Sequence, residues 1–495
     1  MQTRGGQDKG KGEWRHGREH GNDHSFGLQI ERGSCADYFP VPKVSPVSEI
    51  RRTLALAFPI IIGHLCQMLM GITDSVMIGQ VGKVPLAGSA FVNSLFTIPF
   101  IVGIGVLLSV SVLVAREHGA NQPRDCSQYL RHGMLLALVV GVLGAGLMML
   151  TGLWLDYFGQ PPEVVAVIEP YFQLIAISLV PTLFFQVLRQ YSEAVNHPWG
   201  PMGILLAGVG LNVLLNWILI YGHWGAPALG LEGAGWATLA ARILTVMGLW
   251  LWLENRSEVR KEWPGRNDNV RWLGEISWLH VRALLRIGIP AAGMLLFEAG
   301  AFSLAALMMG WIGTVALAAH QIAISCAACV YMIPLGLSIA TSVRIGRAVG
   351  EKRLDLLRPI GFGSLAAGVA FALGFTLLFA LVGPWIVAGF TRDVEVIRLS
   401  ARLLIVAAVF QIFDGGQAIS SGALRGLQDV RVPTVITFVA YWLIAMPVGY
   451  FLGVRGIGPM GVWSGLAVGL GVASTFLAWR FHAKTSPQNL SLFSG

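Results

Sequence analysis

Charged residues are scarce in this sequence, and the common enzyme signatures are missing from it. Asp, Glu, Lys and Arg make up 13% of the 495 residues. An ordinary soluble domain carries about 25%. The sequence contains no GxxxxGKS/T phosphate loop, no HExxH zinc motif and no nucleophile elbow. These absences argue against an enzyme and against ATP as an energy source, which leaves an ion gradient as the ordinary source for any driven process.

Cysteine is also sparse. The five cysteines are scattered, and only Cys326 and Cys329 have the spacing of a metal-binding pair. No second pair accompanies them and they fall within an apolar segment, so we expect them to pack as small polarisable side chains. The net charge of +8 does not indicate nucleic-acid binding, because the lysines and arginines lie mostly between apolar segments, where they orient a chain in a bilayer.

Long apolar segments fill the rest of the chain, which is 54% apolar. Twelve of them approach the roughly 20 residues that an α-helix needs to cross the hydrocarbon core. The sequence therefore predicts an all-α membrane protein with twelve transmembrane helices. Its predicted parts are a disordered cytoplasmic tail at 1–48, an N-lobe at 49–253, a cytoplasmic linker at 254–280, a C-lobe at 281–482 and a C-terminal tail at 483–495.

The distribution of basic residues predicts the orientation in the membrane. The first 48 residues are charged and glycine-rich, without the apolar core of a signal peptide. If they lie in the cytoplasm, most of the lysines and arginines that flank the spans lie there too. We therefore expect a multi-pass protein of the cell (inner) membrane with both termini cytoplasmic. The flanking positions left outside are Lys83, Arg392, Arg398, Arg402 and Arg455.

The chain repeats itself with an offset of 231 residues. Each half would contain six spans, an even number, so both halves enter the membrane from the same side and the repeat is parallel. Two six-helix bundles that enclose a cleft are the expected architecture. The matched residues include Pro59 and Pro290, Gly82 and Gly313, Gly105 and Gly336, Arg116 and Arg347, and Gly119 and Gly350.

Three carboxylates interrupt the apolar spans: Asp74 in the first, Glu298 in the seventh and Asp414 in the tenth. A charged side chain at the bilayer centre costs about 2.5–3.5 kcal/mol on insertion scales. No lysine within the spans is available to neutralise them, and we expect Arg242 to be the only deep arginine. A carboxylate in such surroundings takes up a proton or holds a cation. The alternative is that each is only a structural hydrogen-bonding group.

The fifth span carries two amides, Asn212 and Asn216, at a spacing that places them on one helix face. Amide and carboxylate oxygens with a hydroxyl, which Thr238 of the sixth span could supply, are the hard ligands that Na⁺ requires. The alternative is a hydrogen-bonded pair that joins neighbouring helices.

Polar residues also follow one face of the tenth span, where Gln411, Asp414 and Gln417 recur every three residues. Gln321 in the eighth span is another amide in an apolar segment. A cavity lined by these residues and by aromatic rings would suit a bulky amphiphilic cation. The aromatic candidates are Phe297, Phe302, Tyr331, Phe410, Phe413 and Tyr441.

Several longer motifs carry a resemblance to a known family. They are GITDSVMIG at 71–79, LNVLLNWILIYG at 211–222, LLFE at 295–298, AAHQIA at 318–323, SGALRGLQD at 421–429 and AYWLIAMPVGY at 440–450. With these segments the chain resembles the multidrug and toxic compound extrusion (MATE) family, in its NorM-type branch. The resemblance covers essentially residues 49–480.

The resemblance implies a V-shaped, twelve-helix antiporter that exports organic cations in exchange for Na⁺ or H⁺, and we expect a monomer. The second amide position is sometimes an aspartate in that family, so Asn216 lowers the charge here. The implied cation sites are Asp74, Asn212, Asn216 and Thr238 in the N-lobe and Glu298 and Asp414 in the C-lobe, with Gln321 and Gln417 as substrate contacts. From the aromatic candidates, we expect Tyr331 and Phe413 to contact the substrate as well.

Two other functions remain open at the level of the sequence. A lipid-linked oligosaccharide flippase of the same superfamily would favour a cleft rich in arginine and lysine, and only Arg242 is found there. A membrane-bound transferase would need clustered polar residues in the outer loops, which are short and plain.

Overall fold

Twelve helices long and apolar enough to cross a membrane account for most of the described chain. The computed structural model describes residues 45–159, 161–259, 262–265, 270–272 and 274–489, so the predicted disorder of the N-terminal tail falls on residues outside this part. The spans are α1 (Pro46–Val81), α2 (Lys83–Gly119), α3 (Pro123–Gly152), α4 (Pro162–Ala194), α5 (Trp199–Tyr221), α6 (Gly230–Glu254), α7 (Trp278–Ile312), α8 (Thr314–Gly350), α9 (Leu357–Ala388), α10 (Val394–Gly426), α11 (Arg431–Ile457) and α12 (Pro459–Lys484).

Two of these spans are irregular. α4 breaks at Ser178, between segments that end at Ile177 and begin at Leu179. α11 is π-helical at Val439–Ala445 and again at Tyr450–Ile457. A widened turn displaces backbone carbonyls from their usual partners, which is tolerated within a membrane where neighbouring helices re-satisfy them.

The repeat predicted from the sequence is visible in how the first two helices of each half are joined. A single glycine separates α1 from α2 and α7 from α8. Gly82 has φ +156° and Gly313 has φ +153°. Residues with a β-carbon rarely adopt these angles, so glycine permits the abrupt reversal at both positions.

Residues 44–495 form one compact unit, within which the two sets of six helices have largely separate apolar cores. One core lies in α1–α6 and includes the ends of α7 and α8 nearest the N-lobe. A second core belongs to α7–α12 alone, around Trp463, Phe410 and Tyr441. The division into an N-lobe and a C-lobe stays a prediction, and the two names are used below for α1–α6 and α7–α12.

The lobes meet where the helices end towards the linker. There α2 packs on α7 and α8, and α1 packs on α8. Glycines permit the approach: a β-carbon on Gly105 would collide with the Ala292 backbone, and one on Gly336 would press on Ile61. Close helix packing through small residues is the usual way in which membrane helices associate.

The contact between the lobes is symmetric in the sense that the repeat predicts. A β-carbon on Gly119 would collide with the carbonyl oxygen of Arg347, and one on Gly350 would collide with that of Arg116. These four residues are the repeat partners of one another. The lobes therefore meet through equivalent surfaces, as two subunits do across a twofold axis.

At the opposite end the same helices separate. The half of α2 nearest the linker is buried, whereas Asn93, Ser94 and Thr97 in its other half are exposed. Gln321, in the corresponding half of α8, is exposed as well. Polar side chains at mid-span are costly in lipid and are expected to face the bundle interior or water. They indicate a cleft between the lobes that opens away from the chain termini.

One buried ion pair spans the closed end of the cleft. Glu49, at the start of α1, is fully buried, and Arg344 of α8 donates from Nη2 to its carboxylate. Arg344 Nη1 also donates to the backbone oxygen of Glu49, at 2.6 Å, and to the Thr53 hydroxyl. This cluster joins the N-lobe to the C-lobe.

Candidate functional site

Asp74, on α1, lies against the amides of α5, the residues with which the family resemblance groups it. Asn216 donates from Nδ2 to Asp74 Oδ1 at 2.6 Å. The same nitrogen lies 3.3 Å from Asn212 Oδ1, so the two amides share one helix face. Both are fully buried. Asp74, Asn212 and Asn216 therefore form one polar cluster, which we call the N-lobe cluster.

The N-lobe cluster contains polar atoms without partners. Asn216 Oδ1 and Asn212 Nδ2 are buried and make no hydrogen bond within the described residues. Buried polar atoms are normally satisfied, so an unpaired carbonyl oxygen beside a carboxylate marks a place where a cation could bind. Thr238 is buried on α6, but its hydroxyl makes no described hydrogen bond to the cluster. Its predicted role as a cation ligand stays a prediction.

Arg242 lies one turn beyond Thr238 on α6 and does not neutralise Asp74. No pair within 4.0 Å joins the two side chains. Instead, Arg242 donates from Nη1 to the Ser178 hydroxyl at the break in α4. Its guanidinium also lies over the ring of Phe96, 4.8 Å from the centroid. Asp74 thus has an amide as its hydrogen-bonding partner, while Arg242 acts on it electrostatically from beyond ion-pair distance.

The C-lobe carboxylate Glu298 is held by neutral groups. Its Oε2 accepts from Gln417 Nε2 at 3.1 Å, and its Oε1 accepts from the Tyr331 hydroxyl at 3.4 Å. Tyr441 in turn donates to Gln417 Oε1 at 2.8 Å and so fixes the orientation of that amide. Four helices, α7, α8, α10 and α11, supply these residues. The structure thus brings Tyr331 and Gln417, both predicted as substrate contacts, to the carboxylate.

Asp414 lies one turn before Gln417 on α10 and is 4% exposed. Its Oδ1 is buried and makes no hydrogen bond with any described residue. Glu298 is close enough to act on it electrostatically. Two neighbouring carboxylates without a basic partner favour the uptake of one proton or one cation between them. We call Glu298, Asp414, Gln417, Tyr331 and Tyr441 the C-lobe cluster.

The remaining predicted residues lie around the C-lobe cluster or away from it. Gln411 is buried and donates to the Ala327 carbonyl at 2.7 Å, which assigns it a structural bond. Gln321 is exposed on the open half of α8. The Phe413 ring packs beside Gly471 of α12 and is 36% exposed. Neither residue is joined to Glu298 by a described hydrogen bond, and their substrate contacts stay predictions.

Metal binding by His, Cys, Asp and Glu side chains has no support in the part of the chain that the structure describes. No group of three or more His, Cys, Asp and Glu side chains that could hold a metal ion is found there. Cys326 is buried and Cys329 is exposed, and neither forms a disulfide. The oxygens of the two clusters are of the type that small hard cations prefer as ligands.

Sequence reasoning missed the ion pair at the closed end and the arginine of the C-lobe interior. The sequence assigns no role to Glu49 and places Arg344 only among the basic residues that flank the spans. Arg425 is 6% exposed and its Nε has no partner in the described chain. The sequence held a usable signal for Arg425. Leu188 and Arg189 stand near the end of the fourth span of the first half, as Leu424 and Arg425 do in the second half, and Arg189 is also buried.

Comparison with curated proteins finds relatives along almost the whole chain. It is 35% identical over 454 residues to the probable multidrug resistance protein NorM of Bradyrhizobium diazoefficiens, covering 89% of this chain and 95% of that one. It is 37% identical over 465 residues to the protein of the same name from Rhodopseudomonas palustris, covering 93% and 96%.

Solved structures share the fold. An outward-facing multidrug resistance MATE family transporter of the MOP superfamily matches with a TM-score of 0.78 at 20% identity, over 91% of this chain and 97% of that one. The MatE family model matches residues 59–218 and 290–451, one segment in each lobe. The twelve spans, the two matched segments and the relatives agree that this chain belongs to the MatE family, whose members are membrane transporters and not enzymes.

Proposed function

We propose that this chain is a secondary antiporter of the inner membrane that exports organic cations in exchange for Na⁺ or H⁺ and works as a monomer. Its relatives bear the name multidrug resistance protein, which supports drugs as the cargo. The observation that carries the proposal is the pair Glu298 and Asp414, of which Asp414 is buried in the C-lobe and Glu298 half-buried, with no basic side chain of the described residues bonded to either.

The conformation supports an outward-facing state. The ends of the spans that carry most flanking lysines and arginines are the ends at which the lobes touch. By the positive-inside rule these ends lie in the cytoplasm, with both termini. The cleft then opens to the outside, and the Glu49 and Arg344 pair closes the cytoplasmic side.

The proposed cycle uses the C-lobe cluster for two competing occupants. With the cleft open inward, a cationic substrate displaces the ion from Glu298 and Asp414. The lobes then rock about their symmetric contact, and in the outward state the ion displaces the substrate. Transport requires the carboxylates to prefer a different occupant in each state, because a ligand with equal affinity for both states shifts nothing.

The gradient supplies enough energy for this exchange. One elementary charge that moves through 100 mV contributes about 2.3 kcal/mol. A tenfold concentration gradient adds about 1.4 kcal/mol. The N-lobe cluster, with Asp74, Asn212, Asn216 and the nearby Thr238, is proposed as a second cation site, where the unpaired Asn216 oxygen favours Na⁺ or a protonated Asp74.

The test measures substrate export by inside-out vesicles, where it is observed as uptake into the vesicle, with Na⁺ and pH gradients imposed separately. Glu298→Gln keeps an acceptor for Tyr331 but removes the negative charge, so ethidium transport should fall to background while the protein remains in the membrane. Asp414→Asn should do the same. Glu351→Gln, which neutralises a partly exposed carboxylate at the end of α8, is the matched control and should transport normally. Undiminished transport by Glu298→Gln would refute the assignment of the C-lobe site.

A further inference from the structure

Three arginines line one open groove at the end of the C-lobe where α7 and α11 begin. Arg282 and Arg286 belong to α7, and Arg431 is the first residue of α11. All three side chains are exposed, and none makes a hydrogen bond or an ion pair with any described residue. No acidic residue of the described chain lines the groove. Within this part of the chain, the groove thus presents three positive charges that no carboxylate neutralises.

The two helices hold their arginines at the same depth. α7 and α11 are the seventh and eleventh spans, so they run through the membrane in the same direction. Thr434 of α11 donates from its hydroxyl to the Pro290 carbonyl of α7 at 2.8 Å. Arg286 comes four residues before Pro290 on α7. Arg431 comes three residues before Thr434 on α11. At a rise of about 1.5 Å per residue, the two arginines are therefore level to within roughly 2 Å.

This depth is the boundary between water and the hydrocarbon core. α7 has 35 residues, whereas about 20 are enough to cross the hydrocarbon. The next charged residue of α7 after Arg286 is Glu298, so the uncharged part of the helix begins just beyond Arg286. Trp278, about two turns before Arg286, is exposed, as is common for tryptophan at a membrane surface. The phosphate groups of lipids lie at the same boundary.

Exposed apolar side chains continue the groove beside the arginines. Leu279 and Ile289 are exposed, and both line it. The volume of the groove is about 970 Å³, which is at the upper end of the range for small-molecule sites. A ligand that matches this lining carries an anionic group and an apolar chain. Guanidinium groups bind phosphate oxygens through paired hydrogen bonds, and basic pockets between membrane helices bind anionic lipid headgroups.

The orientation of the chain in the membrane does not explain this arrangement. An arginine anywhere in a short flanking segment contributes to the excess of positive charge on the inside. The repeat offset of 231 residues matches Arg282 with Arg51, but it matches Arg286 with Ala55. The first helix of the N-lobe is therefore oriented without a counterpart of Arg286, so orientation does not require an arginine at this position.

We propose that the groove formed by Arg282, Arg286 and Arg431 binds an anionic phospholipid of the adjoining leaflet, which is the cytoplasmic leaflet in the proposed orientation. The lipid phosphate lies among the three guanidinium groups, and an acyl chain lies along Leu279 and Ile289. The lipid thus bridges the first turns of α7 and α11, two of the four helices that supply the C-lobe cluster. Its binding is independent of which ion or cargo the protein transports.

Native mass spectrometry of the full chain in detergent measures the binding of single added lipid molecules. The wild type should bind phosphatidylglycerol about tenfold more tightly than phosphatidylcholine with the same acyl chains, because only the former carries a net negative charge. The triple variant combines Arg282→Gln, Arg286→Gln and Arg431→Gln. Its affinity for phosphatidylglycerol should fall about tenfold or more, since each arginine near a membrane surface contributes about fivefold. Its affinity for phosphatidylcholine should stay at the wild-type value.

Arg392, Arg398 and Arg402 provide the matched control. They are exposed as well and lie at the opposite end of the spans, at and before the start of α10. Arg398 and Arg402 also have the same four-residue spacing as the two arginines of α7. Replacing all three by Gln removes the same charge and should leave the affinity for phosphatidylglycerol close to the wild-type value. Equal losses in the two triple variants would show a general attraction to surface charge, and the proposed site would be wrong.

Two further measurements identify the occupant of the groove. Millimolar inorganic phosphate should compete with the lipid no better than chloride at the same ionic strength, because it has no acyl chain. Efficient competition by phosphate would mean that the arginines hold a free anion, which contradicts the proposal. A wild type that forms dimers, beside a triple variant that does not, would assign the groove to a contact between two copies and would also overturn it.

A single substitution keeps the test decisive if the triple variant does not reach the membrane. Arg431→Gln alone should lower the affinity for phosphatidylglycerol about fivefold. Arg392→Gln is its control and should leave the affinity unchanged. An equal affinity of these two single variants would refute the proposal.

Discussion

The ion pair between Glu49 and Arg344 should set the balance between the two open states of the cleft. Glu49 is fully buried, and the Arg344 side chain is 14% exposed. Their contact exists only while the lobes touch at the end that the proposed orientation places in the cytoplasm. Replacing Glu49 by Gln removes the charge and keeps the size. The state in which the lobes touch then loses a charge-assisted hydrogen bond. In the state in which the lobes are apart, water hydrogen-bonds equally to Glu or to Gln at position 49.

The size of the shift that Glu49→Gln causes depends on how deeply the Glu49 and Arg344 pair is buried. A hydrogen bond to a charged group contributes about 1.5–3 kcal/mol. Arg52 also contacts Glu49, but its side chain is 67% exposed and adds little. Since about 1.4 kcal/mol is a factor of ten, Glu49→Gln should raise the share of protein open to the cytoplasm by roughly 10- to 100-fold. The pair Arg347 and Glu351, on the surface of α8, is 41% and 31% exposed, so Glu351→Gln should change the balance only about twofold.

Thiol labelling can measure the balance. Ala115 is fully buried on α2, beside Gly346 of α8, and becomes accessible only when the lobes part. In a background without the five native cysteines, the labelling rate of Ala115→Cys by an impermeant maleimide in inside-out vesicles reports the inward-open share. Spin labels at Lys83 and Thr314, the first residues of α2 and α8, should show a matching decrease in distance. If Glu49→Gln labels no faster than Glu351→Gln, the ion pair does not hold the cleft closed.

Three further changes test other parts of the structure. Gly105→Val places side-chain atoms against the Ala292 backbone, so it should prevent close contact of the lobes and raise labelling of Ala115→Cys, whereas Gly310→Val, at a position with open space around it, should not. Asn216→Asp adds a negative charge beside Asp74 and should raise the cation affinity of the N-lobe cluster. The measurement is the Na⁺ or H⁺ concentration that gives half-maximal efflux, which should fall. An unchanged concentration would count against a cation site in this cluster. Tyr441→Phe removes the hydroxyl that donates to Gln417 and orients its amide. Ethidium efflux should therefore fall about fivefold to tenfold, the factor that corresponds to one hydrogen bond of about 1 kcal/mol. Tyr450→Phe is the control on the same helix, and an equal effect of the two substitutions would contradict the role of Tyr441.

The fold was largely predictable. Span number and the parallel repeat depend on hydropathy and spacing, which are local properties of the chain. The contact of Asn212 and Asn216 followed from helix periodicity. The break in α4 at Ser178 and the π-helical turns of α11 were not foreseen, because neighbouring helices rather than local propensity stabilise them.

The clusters were predictable only in part. The position of three carboxylates in apolar spans identified Asp74, Glu298 and Asp414, since the cost of burying a charge is visible in the sequence alone. Which groups contact them depends on how helices far apart in the chain pack: Gln417 lies 119 residues from Glu298, and Arg344 lies 295 from Glu49. The sequence by itself thus determined that charges lie in the membrane, because hydropathy is additive along a chain. Only the tertiary structure decided which charges are balanced, left free or joined across the cleft, because hydrogen bonds and ion pairs require contact within a few ångströms.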